Sequence, residues 1–166
     1  LSLYTCLINY IKIKKVKVIH ISTDEVFGSV LKKPFTEKGQ YNPSSPYSAS
    51  KASSDMIAKA WAKTFNIRLS ILRISNNYGP YQFIEKFIPL SIMKIINRQK
   101  IPLYGKGINI REWIHVDDTC LAIEKLLMKF KDTDFNIGSS YESKNITISK
   151  KILKLFKKEI NQNIIF

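Results

Sequence analysis

Short apolar runs alternate along the chain with stretches in which apolar residues recur at helical spacing. Residues 16–22 form a short apolar run rich in β-branched residues, typical of a buried strand in a parallel sheet, and residues 68–74 return to a strand pattern. Shorter extended pieces are predicted within 101–116 and at 135–138. Helical spacing marks four segments, and these are 47–65, 85–97, 117–130 and 147–160. The alternation predicts an α/β fold built on a partial doubly wound, Rossmann-like parallel sheet.

The helix predicted over 47–65 lies between two loops and two strands. Pro46 is placed to begin it, because proline is favoured in the first turn of a helix. Segments 32–46 and 75–81 are rich in proline, glycine, serine and asparagine, and we predict that both are loops. The predicted apolar face of the helix consists mainly of Ala52, Met56, Ala60 and Phe65, with Ile57 and Trp61 alongside.

The composition is that of one globular domain, with 166 residues of which 45% are hydrophobic. Residues such as Asn9 and Lys12 interrupt the apolar stretch near the start before it reaches the ~18 residues that a membrane span needs. No signal peptide is recognisable there. We therefore predict a single domain over 1–166, incomplete because half of the doubly wound sheet has no counterpart, and no membrane association.

The formal charge of +14 raises the question of an anionic partner. The lysines are spread along the chain, and pairs such as Lys14–Lys15 and Lys150–Lys151 are short and far apart, so we predict no nucleic-acid partner. Cys6 and Cys120 show neither a disulfide framework nor metal-ligand spacing. A reducing cytoplasm and the absence of a metal site are the expectations.

Polar side chains follow the first predicted strand directly, at Thr23, Asp24 and Glu25. Open α/β sheets bind their ligands in the crevice beyond the carboxyl ends of the strands. Two neighbouring carboxylates can act as an acid and a base where different surroundings separate their proton affinities. These three residues are therefore candidate catalytic residues for an elimination.

Tyr47 and Lys51 lie four residues apart at the start of a predicted helix, hence on one face. The ammonium of Lys51 is expected to favour the phenolate of Tyr47, which would then serve as a base, and to be available to a ribose hydroxyl. Tyr10 and Lys14 share this spacing but stand in an apolar stretch without further polar partners. Together with the two carboxylates, the Tyr47–Lys51 pair indicates redox chemistry coupled to an elimination.

The six glycines are dispersed along the chain. Dinucleotide-binding folds need a glycine-rich turn after their first strand, because backbone and helix must approach the pyrophosphate closely. No such cluster follows the strand predicted at 16–22. We therefore expect that the phosphate cradle of a nucleotide-dependent enzyme would lie upstream of Leu1 and that this chain is a fragment.

Four motifs carry a family resemblance. They are STDEVFG at 22–28, PSSPYSASKA at 43–52, SNNYGP at 75–80, and YGKG at 104–107 followed by Arg111. In this order they resemble the dTDP-glucose 4,6-dehydratases, a family of extended short-chain dehydrogenase/reductases, over about residues 18–145. The resemblance implies the fold of that family with part of its substrate-binding region, a tightly held NAD, and a homodimer in the complete enzyme.

The resemblance also implies a reaction, from dTDP-glucose to dTDP-4-keto-6-deoxyglucose and water. The residue matching Tyr47 takes the C4 hydroxyl proton while hydride passes to NAD, and the residue matching Thr23 hydrogen-bonds the sugar O4. The glutamate matching Glu25 then removes the C5 proton, and the aspartate matching Asp24 protonates the departing C6 hydroxyl. The hydride returns at C6.

Binding roles are implied by the resemblance alone. Those implied for NAD fall on Tyr47, Lys51 and Asn77. Those implied for the sugar nucleotide fall on Thr23, Asn76, Lys86, Phe87, Pro102, Tyr104, Arg111 and Asn136, with Lys86 and Arg111 at the diphosphate and Pro102 and Tyr104 at the base. Taken singly, the two cations would be ordinary surface charges, and the two neighbouring asparagines would be turn formers.

Other hypotheses stay open. A UDP-glucose 4,6-dehydratase would use the same Thr-Asp-Glu set, because that set acts on the sugar and not on the base. A 4-epimerase would need Tyr47 and Lys51 but would leave Asp24 and Glu25 unexplained. A non-catalytic remnant acting as an interaction module would use the apolar edges of half a parallel sheet. Phe27 stands where the family commonly has tyrosine, outside the proton-transfer residues.

Overall fold

A computed structural model describes residues 16–29, 35–159 and 163–166. Its strands are β1 (Lys17–Thr23), β2 (Arg68–Ile74), β3 (Asn76–Tyr78), β4 (Ile101–Pro102), β5 (Ile110–His115), β6 (Phe135–Ile137), β7 (Glu142–Lys144) and β8 (Ile164–Ile165). Its helices are α1 (Pro46–Phe65), α2 (Phe87–Ile96), α3 (Val116–Met128) and α4 (Asn145–Leu155). The chain forms two compact units. Of the described residues, the first takes in those up to Ser75 together with Thr119–Ile137, and the second takes in Asn76–Asp118 and those after Ile137.

The first unit is built on a parallel three-stranded sheet in the order β1-β2-β6. Thr23 stands opposite Ile74 in the β1–β2 register, and Ile74 stands opposite Ile137 in the β2–β6 register. The carboxyl ends of all three strands therefore lie at one edge of the sheet. This parallel sheet confirms the α/β prediction and places the polar residues after β1 at the edge where such folds bind ligands.

Helix α1 begins as the sequence predicts but buries a different face. Ser45 caps it, its hydroxyl accepting a hydrogen bond from the Ser48 N–H at 3.1 Å, and Pro46 occupies the first turn. The predicted apolar face is wrong at three of its four positions, because Met56, Ala60 and Phe65 are exposed. The helix instead buries a mixed stripe of Ser48, Ala52, Asp55 and Ala58.

The mixed stripe exists because Asp55 has charged and polar partners inside the unit. Its carboxylate is 0% exposed and accepts hydrogen bonds from Arg73 Nε and from the Tyr41 hydroxyl, both at 3.1 Å. Arg73 Nη2 also donates to Asp134 Oδ2 at 2.9 Å. Burial acts to raise the pKa of Asp55, but hydrogen bonds from His20 and Ser22 and the charge of Arg73 outweigh it and hold that pKa below its usual value.

Removing one member of this pair is expected to destabilise the first unit strongly. Arg73→Met leaves the Asp55 carboxylate buried without its cation, which typically costs about 3–5 kcal/mol. Arg68→Met serves as the control on the same strand, because Arg68 faces Asp132 at 3.8 Å across half-exposed side chains and such pairs contribute about 0–1 kcal/mol. Urea unfolding of both variants measures the difference, and equal losses of unfolding free energy would contradict it.

The second unit has a mixed sheet in the order β3-β5-β7 and a separate β4–β8 pair. Strand β5 runs parallel to β3 and antiparallel to β7. Strand β3 falls within the predicted loop 75–81, and β7 was not predicted; each has three residues, too few to establish a hydrophobic period. The core of this unit consists of Ile95, Ile101, Leu103, Trp113, Ile148, Ile152, Leu153 and Ile164.

The other helix boundaries differ from the predictions by a few residues. Pro89 is the third residue of helix α2 and so lies in its first turn. The helix accommodates it there, because backbone N–H groups of the first turn have no partner within the helix. Helix α4 spans Asn145–Leu155 against a predicted 147–160, and residue 160 itself lies outside the described residues. Throughout the three described ranges, none of the helices has the length and apolar character required to cross a bilayer.

Candidate active site

The turn after β1 holds the two candidate carboxylates. Residues Asp24–Phe27 form a 3₁₀ turn that Thr23 caps, its Oγ1 accepting from the Glu25 N–H at 3.3 Å. The Thr23 hydroxyl also lies 3.3 Å from Asp24 Oδ1, to which it donates. Gly28 ends the turn at φ 79°, where a Cβ would stand 2.2 Å from the Asn42 carbonyl oxygen. Glycine at 28 therefore lets this turn pack against the loop that leads to α1.

The first two turns of α1 bring Tyr47 and Lys51 to the same end of the sheet. Tyr47 directly follows Pro46, and 56% of the residue is exposed. Lys51 Nζ donates to the Ile21 carbonyl at 2.8 Å, two residues before Thr23. The first unit thus places Thr23, Asp24, Glu25, Tyr47 and Lys51 around the carboxyl end of β1.

The phenol of Tyr47 lies in a negative field. Burial raises its pKa above the ordinary value, and the carboxylates of Glu25 and then Asp24 raise it further. The sequence-based expectation that Lys51 favours the phenolate is therefore not met, because the Ile21 carbonyl takes the ammonium and the two carboxylates act on the phenol instead. Both effects oppose ionisation of the Tyr47 phenol.

Asn136 belongs to the first unit and packs against the loop before α1. It lies on β6, and its side-chain amide donates to the Phe35 carbonyl at 3.3 Å. Its backbone N–H donates to Glu37 Oε1 at 3.2 Å. Among the described residues its Oδ1 is buried without a hydrogen-bond donor.

The remaining predicted binding residues all lie in the second unit. Tyr104 is 89% exposed in the turn Tyr104–Gly107, and Arg111 is exposed on β5, so both are accessible to a ligand. Phe87 instead packs its ring against Trp113 at a centroid distance of 5.9 Å. The others occupy β3 (Asn76, Asn77), the start of α2 (Lys86) and β4 (Pro102).

Several residues with notable environments were not predicted from the sequence. Asp55 and Arg73 give no local signal, because each stands in an otherwise ordinary helix or strand and only the fold pairs them. Asn145 begins α4, and its side-chain Oδ1 is buried without a donor among the described residues. A polar residue directly before the apolar spacing of a helix was the available signal for Asn145. Tyr10 and Lys14 lie outside the described residues.

The described residues fit one end of NAD. Tyr47 and Lys51 stand where a ribose would meet the carboxyl ends of parallel strands. The glycines at 28 and 107 are committed to turns with close backbone or side-chain neighbours, and the 166 residues contain no glycine-rich cluster for a pyrophosphate. If Tyr47 and Lys51 bind the reacting end of the cofactor, as the resemblance implies, these 166 residues still lack a glycine-rich phosphate cradle.

A weak affinity for NAD follows. We expect the 166-residue chain alone to bind NAD with a Kd no tighter than about 1 mM, about −4 kcal/mol, because the pyrophosphate contacts are missing. Isothermal titration measures it, and a Lys51→Met variant is the control that should abolish any residual binding. Micromolar binding would show that another segment of this chain cradles the phosphates.

Away from the candidate catalytic residues, the described residues form a cavity but no candidate metal site. Over the part of the chain that the structure describes, no cluster of three or more His, Cys, Asp and Glu side chains could hold a metal ion. An apolar cavity of about 430 Å³ lies between α3 and the sheet, lined among others by Leu72, Leu126, Phe135 and Ile137. The candidate catalytic residues are not among those that line it.

The sequence of this chain is similar to those of known proteins. Residues 1–164 match the family model described as GDP-mannose 4,6 dehydratase. A dTDP-glucose 4,6-dehydratase of Mycobacterium tuberculosis is 43% identical over 148 residues, which is 87% of this chain and 45% of that protein. The chain spans about half the length of the curated relatives it matches.

Solved structures agree with the sequence relatives. The dTDP-glucose 4,6-dehydratase of Bacillus anthracis, solved in complex with NAD, matches 98% of this chain and 53% of its own with a TM-score of 0.90 at 42% identity. A UDP-glucuronic acid 4-epimerase of Bacillus cereus matches 95% of this chain and 51% of its own with a TM-score of 0.87 at 26% identity. The fold is thus shared between dehydratases and epimerases, and the residues at the site must separate them.

Proposed function

Because this chain belongs to the GDP-mannose 4,6-dehydratase family, we propose that it is the part of an NAD-dependent dTDP-glucose 4,6-dehydratase that carries the catalytic acid and bases. The observation that carries the proposal is the convergence of Tyr47, Asp24 and Glu25 in one unit, where both carboxylates act on the phenol. The identity of 42–43% to proteins named for this activity supports the choice of substrate.

Tyr47 is proposed to take the proton of the sugar C4 hydroxyl. Its phenol is half exposed and directly follows the start of α1, so a sugar can reach it from solvent. Bound NAD would accept hydride from C4 and return it to C6. Lys51, which donates to the Ile21 carbonyl, is proposed to donate also to a ribose hydroxyl of the cofactor.

The two carboxylates are proposed to divide the elimination between them, with Glu25 taking the C5 proton and Asp24 protonating the C6 hydroxyl. Thr23 provides the means to separate them. Its hydroxyl now donates to Asp24 Oδ1. When that hydroxyl turns to the sugar O4, Asp24 loses this hydrogen bond, and the two carboxyl groups then differ in their surroundings. That difference would let Asp24 act as the acid while Glu25 acts as the base.

The same carboxylates favour a dehydratase over an epimerase. A 4-epimerase removes and returns hydride at C4 and has no proton to move at C5 or C6, so it needs the tyrosine but neither Asp24 nor Glu25. In this chain both carboxylates lie close enough to Tyr47 to act on its phenol. The base of the nucleotide is a separate question, because Thr23, Asp24 and Glu25 act on the sugar.

The test is a chimera in which these 166 residues replace the matching part of the Bacillus anthracis dehydratase. Mass spectrometry and NMR follow the loss of water from dTDP-glucose, with UDP-glucose and GDP-mannose as competing substrates. Turnover of dTDP-glucose to a 4-keto-6-deoxy sugar is the expected result. A folded chimera that retains NAD and turns over only UDP-glucose or GDP-mannose would overturn the assignment of the substrate, and epimerisation would overturn the reaction.

Three further features of the complete protein are part of the proposal. A homodimer follows from the resemblance and a cytoplasmic location from the cysteine pattern, and neither a nucleic acid nor a membrane is a proposed partner. The exposed, free thiol of Cys120 supports a reducing compartment. Size-exclusion chromatography with light scattering on the chimera would test the dimer, and a monomer at micromolar concentration would count against it.

A further inference from the structure

A buried charge network ties together the segments that carry the candidate catalytic residues. Asp55 on α1 contacts Arg73 on β2, and His20 Nε2 on β1 lies 3.3 Å from Asp55 Oδ1. The Tyr41 hydroxyl bridges the pair, lying 3.1 Å from Asp55 Oδ2 and 2.7 Å from Arg73 Nη2. Asp134, just before β6, accepts from Arg73 and also pairs with Lys59 Nζ at 2.7 Å. Five segments of the first unit therefore meet at one carboxylate and one guanidinium.

The network includes the helix that carries Tyr47 and Lys51. Tyr47, Lys51 and Asp55 follow one another at intervals of four residues, so they form one stripe along α1. Asp55 is fixed by its ion pair with Arg73, and Lys51 is fixed by its hydrogen bond to the Ile21 carbonyl. Tyr47, at the N-terminal end of the stripe, is 56% exposed.

The turn that holds the carboxylates rests on the same guanidinium. Phe27 closes the turn Asp24–Phe27 and is 2% exposed. The Arg73 guanidinium carbon lies 5.2 Å from the centre of the Phe27 ring and 5.3 Å from that of Tyr41. Arg73 thus contacts both the helix that carries Tyr47, through Asp55, and the turn that carries Asp24 and Glu25, through Phe27.

Stability alone does not account for such a pair. Replacing a buried ion pair by apolar residues of similar volume is often neutral or stabilising, so a core that needed only cohesion could use leucine and methionine here. Ionic partners differ from apolar ones in that they accept few geometries, since Arg73 must satisfy Asp55, Asp134 and Tyr41 at once.

We propose that Asp55 and Arg73 are positioning residues that hold the α1 stripe against the turn Asp24–Phe27, so that the Tyr47 phenol faces the carboxylates of Asp24 and Glu25. This role rests on the proposed function, because the position of the Tyr47 phenol relative to the Asp24 and Glu25 carboxylates matters only if the three groups act on one substrate. Its geometric content is independent of substrate and cofactor. Misplacing a reacting group by about 1 Å can cost about a hundredfold in rate, which is the scale of error such a pair would prevent.

The experiment titrates Tyr47 in the 166-residue chain without any ligand. Ultraviolet absorbance follows ionisation of the eight tyrosines, and subtracting a Tyr47→Phe titration in each background isolates the phenol of interest. The test variant is D55L/R73M, which removes both charges together. We expect it to retain its circular dichroism and to lower the pKa of Tyr47 toward its ordinary value, because the phenol is no longer held near the two carboxylates.

Two further variants keep the result decisive. Arg68→Met removes an arginine from the same strand outside the network and should leave the pKa of Tyr47 as it is in the parent chain. If D55L/R73M does not fold, Tyr41→Phe takes its place, because it deletes one hydroxyl that contacts both Asp55 and Arg73 and should shift the Tyr47 titration in the same direction. A folded D55L/R73M, or a folded Tyr41→Phe in its place, with an unchanged Tyr47 titration overturns the proposal. The proposed function can fail without affecting this result.

Discussion

Replacing Tyr47 by phenylalanine in the chimera lowers kcat for dTDP-glucose by a factor of about 100 to 10,000. This is the contribution that one positioned general base makes, and phenylalanine keeps the ring while removing the hydroxyl that takes the C4 proton. KM should change little, because the ring still packs at the start of α1 and the proposed nucleotide contacts lie elsewhere. Initial rates of product formation measure the effect.

The matched control is Tyr10→Phe. Tyr10 stands four residues before Lys14, as Tyr47 stands four before Lys51, so the two pairs have the same sequence pattern. We expect Tyr10→Phe to leave kcat within about twofold, since effects of surface or packing changes on catalysis are small compared with loss of a base. Retention of more than a tenth of the activity by Tyr47→Phe would remove Tyr47 from the mechanism.

Glu25→Gln and Asp24→Asn are expected to stop the elimination at different points. Glu25→Gln removes the base that takes the C5 proton, so it should abolish exchange of C5 hydrogen with deuterated solvent and lower the rate of water loss by about 100 to 10,000-fold. Asp24→Asn removes the acid for the C6 hydroxyl, so C5 exchange should continue while water loss falls by a similar factor. NMR in deuterated water and mass spectrometry separate the two outcomes.

Glu124→Gln is the control for these two variants. Glu124 is exposed on α3, and its conversion to an amide makes the same chemical change away from the site. Its C5 exchange and water loss should match those of the parent chimera. If both active-site variants lost C5 exchange together, the two carboxylates would not have separate roles, and the assignment of acid and base would have to be given up.

The parallel strands and the position of the catalytic candidates follow from the sequence because they depend on local pattern. Short apolar runs between turn residues, such as 16–22, are typical of buried strands in a parallel sheet. Thr23, Asp24 and Glu25 follow such a run, and parallel pairing then places them at the ligand-binding edge. These features need no knowledge of which strands are neighbours.

The buried face of α1 and the environment of Tyr47 could not be predicted in this way. Asp55 is buried only because Arg73, eighteen residues later, reaches it from β2. Lys51 is one turn from Tyr47, but the Ile21 carbonyl of another segment takes its ammonium. In both cases a contact between distant segments overrides the local pattern. The short strands β3 and β7 escaped prediction for a different reason, since three residues establish no period.

The measurement that bears most directly on a 4,6-dehydratase is the fate of the hydrogen at C4. The chimera is supplied with dTDP-glucose deuterated at C4, and the product is examined by NMR. If Tyr47, Asp24 and Glu25 act as proposed, the deuterium appears at C6 of a 4-keto-6-deoxy product, with one solvent hydrogen at C5. Deuterium that remains at C4 of an epimerised or unchanged sugar would contradict the dehydratase assignment.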